Sequence, residues 1–303
     1  MHLFTDLRNG LTTSLTRRSL GALTWTYLVC LGIAIIFTIA VFAFVSNTVG
    51  GTAMAAELRQ GVSADWLIDI AGVDGTVLAT STLMILGMAL IPAYLVLVVF
   101  CSGGIVNAQL ADSRMDRGST PTFLSASARF AGPMLRIALV EVPVIAIVGL
   151  VLVTIKTLSG SVLYGAGAWF WLVTSLFVLA LVTTIFDFAR IELVADDSRR
   201  SLRAIVAAIR FVFRNGPIVV AIVVVTLVVS LAVGLGLIWV RSLIPLDTGA
   251  MLFLGIVFGQ ISIIGRLWTR IFAYATEASV WQRIPHTVPA REMVEPDLVA
   301  DRA

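Results

Sequence analysis

The 303 residues are 59% apolar and only 13% charged, with a net charge of +3, and the mean hydropathy is +1.00. A water-soluble domain carries about a quarter charged residues, so this composition excludes a soluble fold and makes the bilayer the solvent. The small positive excess is the kind produced by arginine in cytoplasmic loops, so no nucleic-acid partner is expected. The expected fold class is all-α, a polytopic membrane bundle.

Residues 1–20 place Phe4, Leu7, Leu11 and Leu15 on one helical face, with Arg8, Arg17 and Arg18 beside it. This pattern predicts an interfacial helix. A first span follows at about Leu23–Val45, then a polar stretch at 47–76 carrying Glu57, Asp65, Asp69 and Asp74. The second span is expected at Leu78–Cys101, with Pro92 inside it. From Ser102 the chain turns polar, and Thr120-Pro121 reads as a helix start. A short helix with Phe123, Ala126 and Phe130 on one face is expected to end at Gly132-Pro133. The third span is about Met134–Thr157 and contains Glu141 and Pro143. The fourth is about Trp169–Phe188, ending at Asp187 and Arg190.

The loop from Phe186 to Pro217 is the densest in positive charge. Its second half puts Leu202, Ile205, Val206, Ile209 and Val212 on a stripe opposite Arg203, Arg210 and Arg214. Asp196 and Asp197 suit the positive N-terminal end of that helix, and Asn215-Gly216-Pro217 stops it. The fifth span is about Ile218–Val240 and the sixth about Met251–Phe272, continuing as helix to Gln282. The segment 283–303 is expected to be a disordered cytoplasmic tail.

Six spans with both ends on one side put 18 of the 21 basic residues on that side. The positive-inside rule then predicts both termini in the cytoplasm of a cytoplasmic (inner) membrane. The picture is a single membrane domain over 1–282, in three hairpins preceded by elbow helices.

An internal repeat is expected over 1–112, 120–196 and 198–277. Arg129-Phe130 recurs as Arg210-Phe211, Ala126 as Ala207, Phe177 as Phe258 and Asp196 as Glu277, all at one offset. The helix-breaking Gly132-Pro133 and Gly216-Pro217 need a small gap to match. With its elbow helices, its hairpins, the Ala-Asp ending of span four and the long loop after span one, the chain resembles the YciC-like group of six-span membrane proteins. That group is related to the membrane domain attached to some glycerophosphodiester phosphodiesterases. The resemblance implies a fold, no established activity and no catalytic residues.

Glu141 is the most unusual residue, since a charge at mid-membrane depth costs about 2.5–3.5 kcal/mol on insertion scales. Arg136, Arg190, Arg266 and Arg270 are expected partners, with Asp187 and Gln260 joining the same inner-leaflet cluster. The cluster reads either as a relay or headgroup cavity, or as an ion-paired strut. Arg129, Arg203, Arg210 and Arg214 are expected contacts for anionic lipid headgroups. His2 and His286 lie in the tails, Cys30 and Cys101 lie in apolar runs, and no paired carboxylates or zinc motif accompany them. No enzyme activity, metal or cofactor is therefore expected. The leading expectation is a non-enzymatic protein that organises lipids or binds a membrane-protein partner; the alternative is a small-solute or lipid transporter built around Glu141.

Overall fold

The computed structural model describes residues 2–49, 77–111, 123–158, 166–197, 199–243 and 249–284. Among them are eight helices and no strand: α1 (His2–Ser14), α2 (Arg17–Val49), α3 (Val77–Ala111), α4 (Phe123–Leu158), α5 (Ala166–Ala195), α6 (Ser201–Arg214), α7 (Gly216–Ser242) and α8 (Gly249–Arg283). Apolar segments facing hydrocarbon have no water to satisfy their peptide groups, so helix is the conformation open to them. Five of the eight, α2, α4, α5, α7 and α8, are long and apolar enough to cross a membrane. This is the architecture of a multi-pass helical membrane protein. In α3, the stretch Leu95–Leu110 is an apolar helix of shorter length. The acidic residues of 50–76, the helix start at Thr120-Pro121, the turns at 159–165 and 244–248, and the tail from 285 lie outside the described residues.

Fully buried side chains gather at one end of the bundle. They fall within 6–26, 99–110, 126–141, 184–194, 201–223 and 269–280. This end combines the N-terminal parts of α2, α4 and α7 with the C-terminal parts of α3, α5 and α8. The short helices α1 and α6 complete it, α1 against α8 and α6 against α5. In the opposite halves of the long helices every described side chain is at least partly exposed.

Small residues let these helices approach closely. A Cβ on Gly103 would stand 3.1 Å from Phe130 Cβ, and one on Gly104 would stand 2.6 Å from the Phe123 ring, so α3 and α4 pack almost backbone to side chain. Gly10 of α1 faces the backbone of α8, where its Cβ would lie 3.0 Å from Thr276 Cα. Gly234, Gly236 and Gly259, by contrast, have open space around them.

Two sequence expectations about helix ends are corrected. The polar residues after Cys101 do not begin a loop: α3 continues to Ala111. Its polar residues are absorbed by packing, with Ser102 Oγ donating to the Val99 carbonyl at 2.7 Å and Gln109 Nε2 donating to Ser19 Oγ at 3.1 Å. Nor does Gly132-Pro133 end a helix, because α4 runs through it, and through Pro143, as one element of 36 residues. The second elbow is thus the first turns of α4, not a separate helix. A proline removes one helical donor, and a neighbouring element can steady the interruption. Here Ser201 Oγ, at the start of α6, donates to the Pro133 carbonyl at 2.9 Å. Loss of that buried bond in Ser201→Ala is expected to cost about 1 kcal/mol, read from unfolding of the purified protein in detergent.

The Asn215-Gly216-Pro217 stop behaves as expected. Asn215 N and Nδ2 both donate to the Phe211 carbonyl at 3.0 Å, closing α6, and Pro217 sits in the first turn of α7.

Candidate functional site

Two features of the packed end carry charge. The first is internal. On α5, Thr184, Asp187 and Arg190 are spaced by three residues and share a face; on α8, Arg270, Tyr274 and Glu277 do so at i, i+4 and i+7. These two faces meet, and Glu141 of α4 closes the third side. The Arg190 guanidinium is the centre: it pairs with Glu141, donates to Asp187 Oδ1 at 2.6 Å, and reaches Tyr274 OH at 3.4 Å. Arg270 Nη2 donates to the same Asp187 oxygen at 2.7 Å and to Tyr274 OH at 3.2 Å. Its guanidinium also lies 4.7 Å from the centre of the Tyr274 ring, within the range of a cation–π contact. Glu141, Asp187, Arg190, Tyr274 and Glu277 are all buried, whereas the Arg270 side chain is 43% exposed.

Of the residues expected in this cluster, Glu141, Asp187, Arg190 and Arg270 are brought together. Gln260 is not among them; it faces α2 and accepts a hydrogen bond from Tyr27 OH at 3.0 Å. Arg266 is exposed one turn away from Arg270, and Arg136 is exposed on α4, so neither joins the cluster. Thr184, Tyr274 and Glu277 were not expected there. The signal that finds them is helical spacing from Asp187 and Arg270, carried past the point where hydropathy ends the span.

The second feature is external. Around α6 the side chains fall into three sectors. Ser201, Ala204, Ile205, Ala208 and Val212 are buried against the bundle. Leu202, Val206, Ile209 and Phe213 form an exposed apolar sector, in which Phe213 is 82% exposed. Arg203, Arg210 and Arg214 form an exposed basic sector next to it. The expected single apolar stripe is therefore two faces, one packed and one outward. Phe211, at the edge of the buried sector, locks the helix to α5 by a ring contact with Phe188 at 4.9 Å.

The helix α1 repeats the plan with a polar packed face. Asp6, Gly10 and Ser14 are buried while Phe4, Leu11 and Leu15 are exposed. Asp6 is held by Arg283 at 2.8 Å.

Arg129, expected to meet headgroups, is paired with Asp197. This also corrects the reading of the two acids as helix caps. The residue before α6 is Arg200, with no side-chain cap, and Asp197 lies too far upstream to serve. It sits in a left-handed turn, φ 49°, a conformation that aspartate tolerates better than most residues, and from there its carboxylate reaches Arg129. Asp196 and Glu277, matched in sequence, occupy unlike environments, one an exposed turn and the other a buried helix face.

No protein-family model matches the chain, and neither a curated protein nor a solved structure matches it.

Proposed function

We propose that the chain is a six-span, non-enzymatic protein of the cytoplasmic membrane whose arginine-rich end faces the cytoplasm and holds anionic lipid through α6. The observation that carries this reading is the outward pairing of an apolar sector with a basic sector on one helix. A helix of a soluble protein buries its apolar residues. Here Leu202, Val206 and Phe213 are presented outward even though a second face, centred on Ala204 and Ala208, is already packed. Such a helix lies in the plane of the interface, with its outward apolar side among acyl chains and its arginines at headgroup level. The exposed Phe4 and Leu11 of α1, with Leu15 just after it, support the same level in the membrane. In this reading α3 is the sixth span, and an amphipathic segment ahead of each pair of long helices is what relates the chain to the YciC-like group.

For Glu141 the paired geometry supports a strut over a relay. Its carboxylate is taken up by Arg190, which Asp187 holds from one turn away.

The test of the lipid reading is the double variant Arg203→Gln with Arg210→Gln. Each arginine near an anionic surface contributes about 1 kcal/mol, so affinity for a short-chain anionic phospholipid should fall roughly thirtyfold. Native mass spectrometry of the detergent-purified protein reads this, with a zwitterionic lipid of the same chains as control. Equal loss for both lipids, or no loss for either, rejects the proposal.

A further inference from the structure

The internal cluster holds three carboxyl groups, Glu141, Asp187 and Glu277, against two guanidinium groups, Arg190 and Arg270. Glu141 and Asp187 are matched by the arginines through the bonds described above. Glu277 is left over. It is 1% exposed, the Thr184 hydroxyl lies beside its carboxyl, and its Oε2 has no hydrogen-bond partner.

The groups facing it are Asp187 and Arg190 of α5, with Glu141 of α4 behind them, and Arg270 and Tyr274 of its own helix. The other helices packed on α8 offer it no further charge. The cations of α2 within the buried end, Arg17 and Arg18, are exposed at its start; α3 and α7 place no charged side chain at this level; on α1 Arg8 is exposed and the acid Asp6 is already paired with Arg283; and the further acid of α5, Glu192, accepts from Trp281.

A buried carboxylate that must share its nearest cations, Arg190 and Arg270, with two other carboxylates leaves the cluster one positive charge short, a costly arrangement in a protein interior. A water molecule between Glu277 Oε2 and Arg190 Nε, which also lacks a partner, would satisfy hydrogen bonds but leave the charge uncompensated.

We propose that Glu277 is a binding site for one further positive charge, a proton or a monovalent metal cation, inserted between α5 and α8. The site is distinct from the headgroup contacts of α6 and does not depend on them. Its location beside the Asp187–Arg190–Arg270 bridge means that loading it alters the electrostatics of the bridge that ties α5 to α8.

The test uses the full chain in detergent micelles or nanodiscs. Proton release on unfolding in a weakly buffered solution at neutral pH, and retention of radioactive sodium by the folded protein, are measured for the wild type and for Glu277→Gln. The amide keeps the size and the hydrogen bonding of the side chain but not its charge.

If the proton is the ligand, the wild type releases about one proton more per chain than the variant. If a metal cation is the ligand, the wild type retains sodium, potassium displaces it in competition, and the variant retains none. Equal proton release together with equal sodium retention in the two proteins overturns the proposal. Should the variant not fold, the wild type decides alone, because release of no proton and retention of no sodium overturns the proposal equally.

Discussion

Replacing Arg190 by alanine is expected to cost about 3–5 kcal/mol, a large part of the roughly 5–15 kcal/mol that holds a typical domain folded. The cost comes from the partners it abandons. Arg190 is bonded to Glu141 on one side and Asp187 on the other, and its side chain is only 7% exposed. Truncation leaves Glu141 buried without a cation and Asp187 with Arg270 alone. Steric compensation is not available, because the vacated space is lined by carboxylates and a phenol. The measurement is the midpoint of heat or denaturant unfolding in detergent, followed by tryptophan fluorescence. Glu141→Gln serves as the contrast. The amide still offers Arg190 an oxygen and leaves no unpaired charge of its own, so its cost should be several-fold smaller. A Glu141→Gln protein that folds well but loses a solute-dependent phenotype would move the balance from strut to transport.

Gly10→Ala is expected to cost about 1–3 kcal/mol and to loosen α1 from α8. The added Cβ meets Thr276 Cα at 3.0 Å and Thr276 N at 3.1 Å. These are backbone atoms of a helix packed on several others, so they cannot rotate aside as a side chain would. The strain is relieved by lifting α1, which in turn opens the Asp6–Arg283 pair. Limited proteolysis near residues 14–17, where α1 gives way to α2, reads this directly: cleavage should speed up in Gly10→Ala and not in Gly21→Ala, since Gly21 has open space around it.

Much of the helical architecture is legible in the sequence, because hydropathy and span length follow from the solvent. Arg203, Arg210 and Arg214 sit on the outward side as their spacing implies. The split of the apolar residues into a packed and an exposed sector is less visible. Ala204 and Ala208 contribute little hydrophobicity, and close packing, not apolarity, selects them. The cluster was half legible for a related reason. Depth along the helix brings Glu141, Asp187, Arg190 and Arg270 to one level, but depth says nothing about direction around the axis. Gln260 points away, toward Tyr27, and Arg266 is exposed. Tyr274 and Glu277 lie on the right face but past the last strongly apolar turn, where a hydropathy boundary stops looking. Gly132-Pro133 reads as a terminator because local chemistry favours one; the bond from Ser201 is a tertiary contact between segments far apart in sequence.

The clasp between α1 and α8 has a consequence for biogenesis. The Ser279 hydroxyl approaches the Asp6 carbonyl across 273 residues of sequence, and Arg283 reaches Asp6 from still further along. The first of these partners leaves the ribosome on the order of tens of seconds before the second. Throughout that interval α1 has its buried aspartate uncovered, and the Asp187 and Arg190 of α5 wait for Arg270. If α1 lies at the interface as proposed, the membrane surface stores it meanwhile, apolar side down, and its outward face holds the nascent chain at the bilayer until the last helix arrives to receive it.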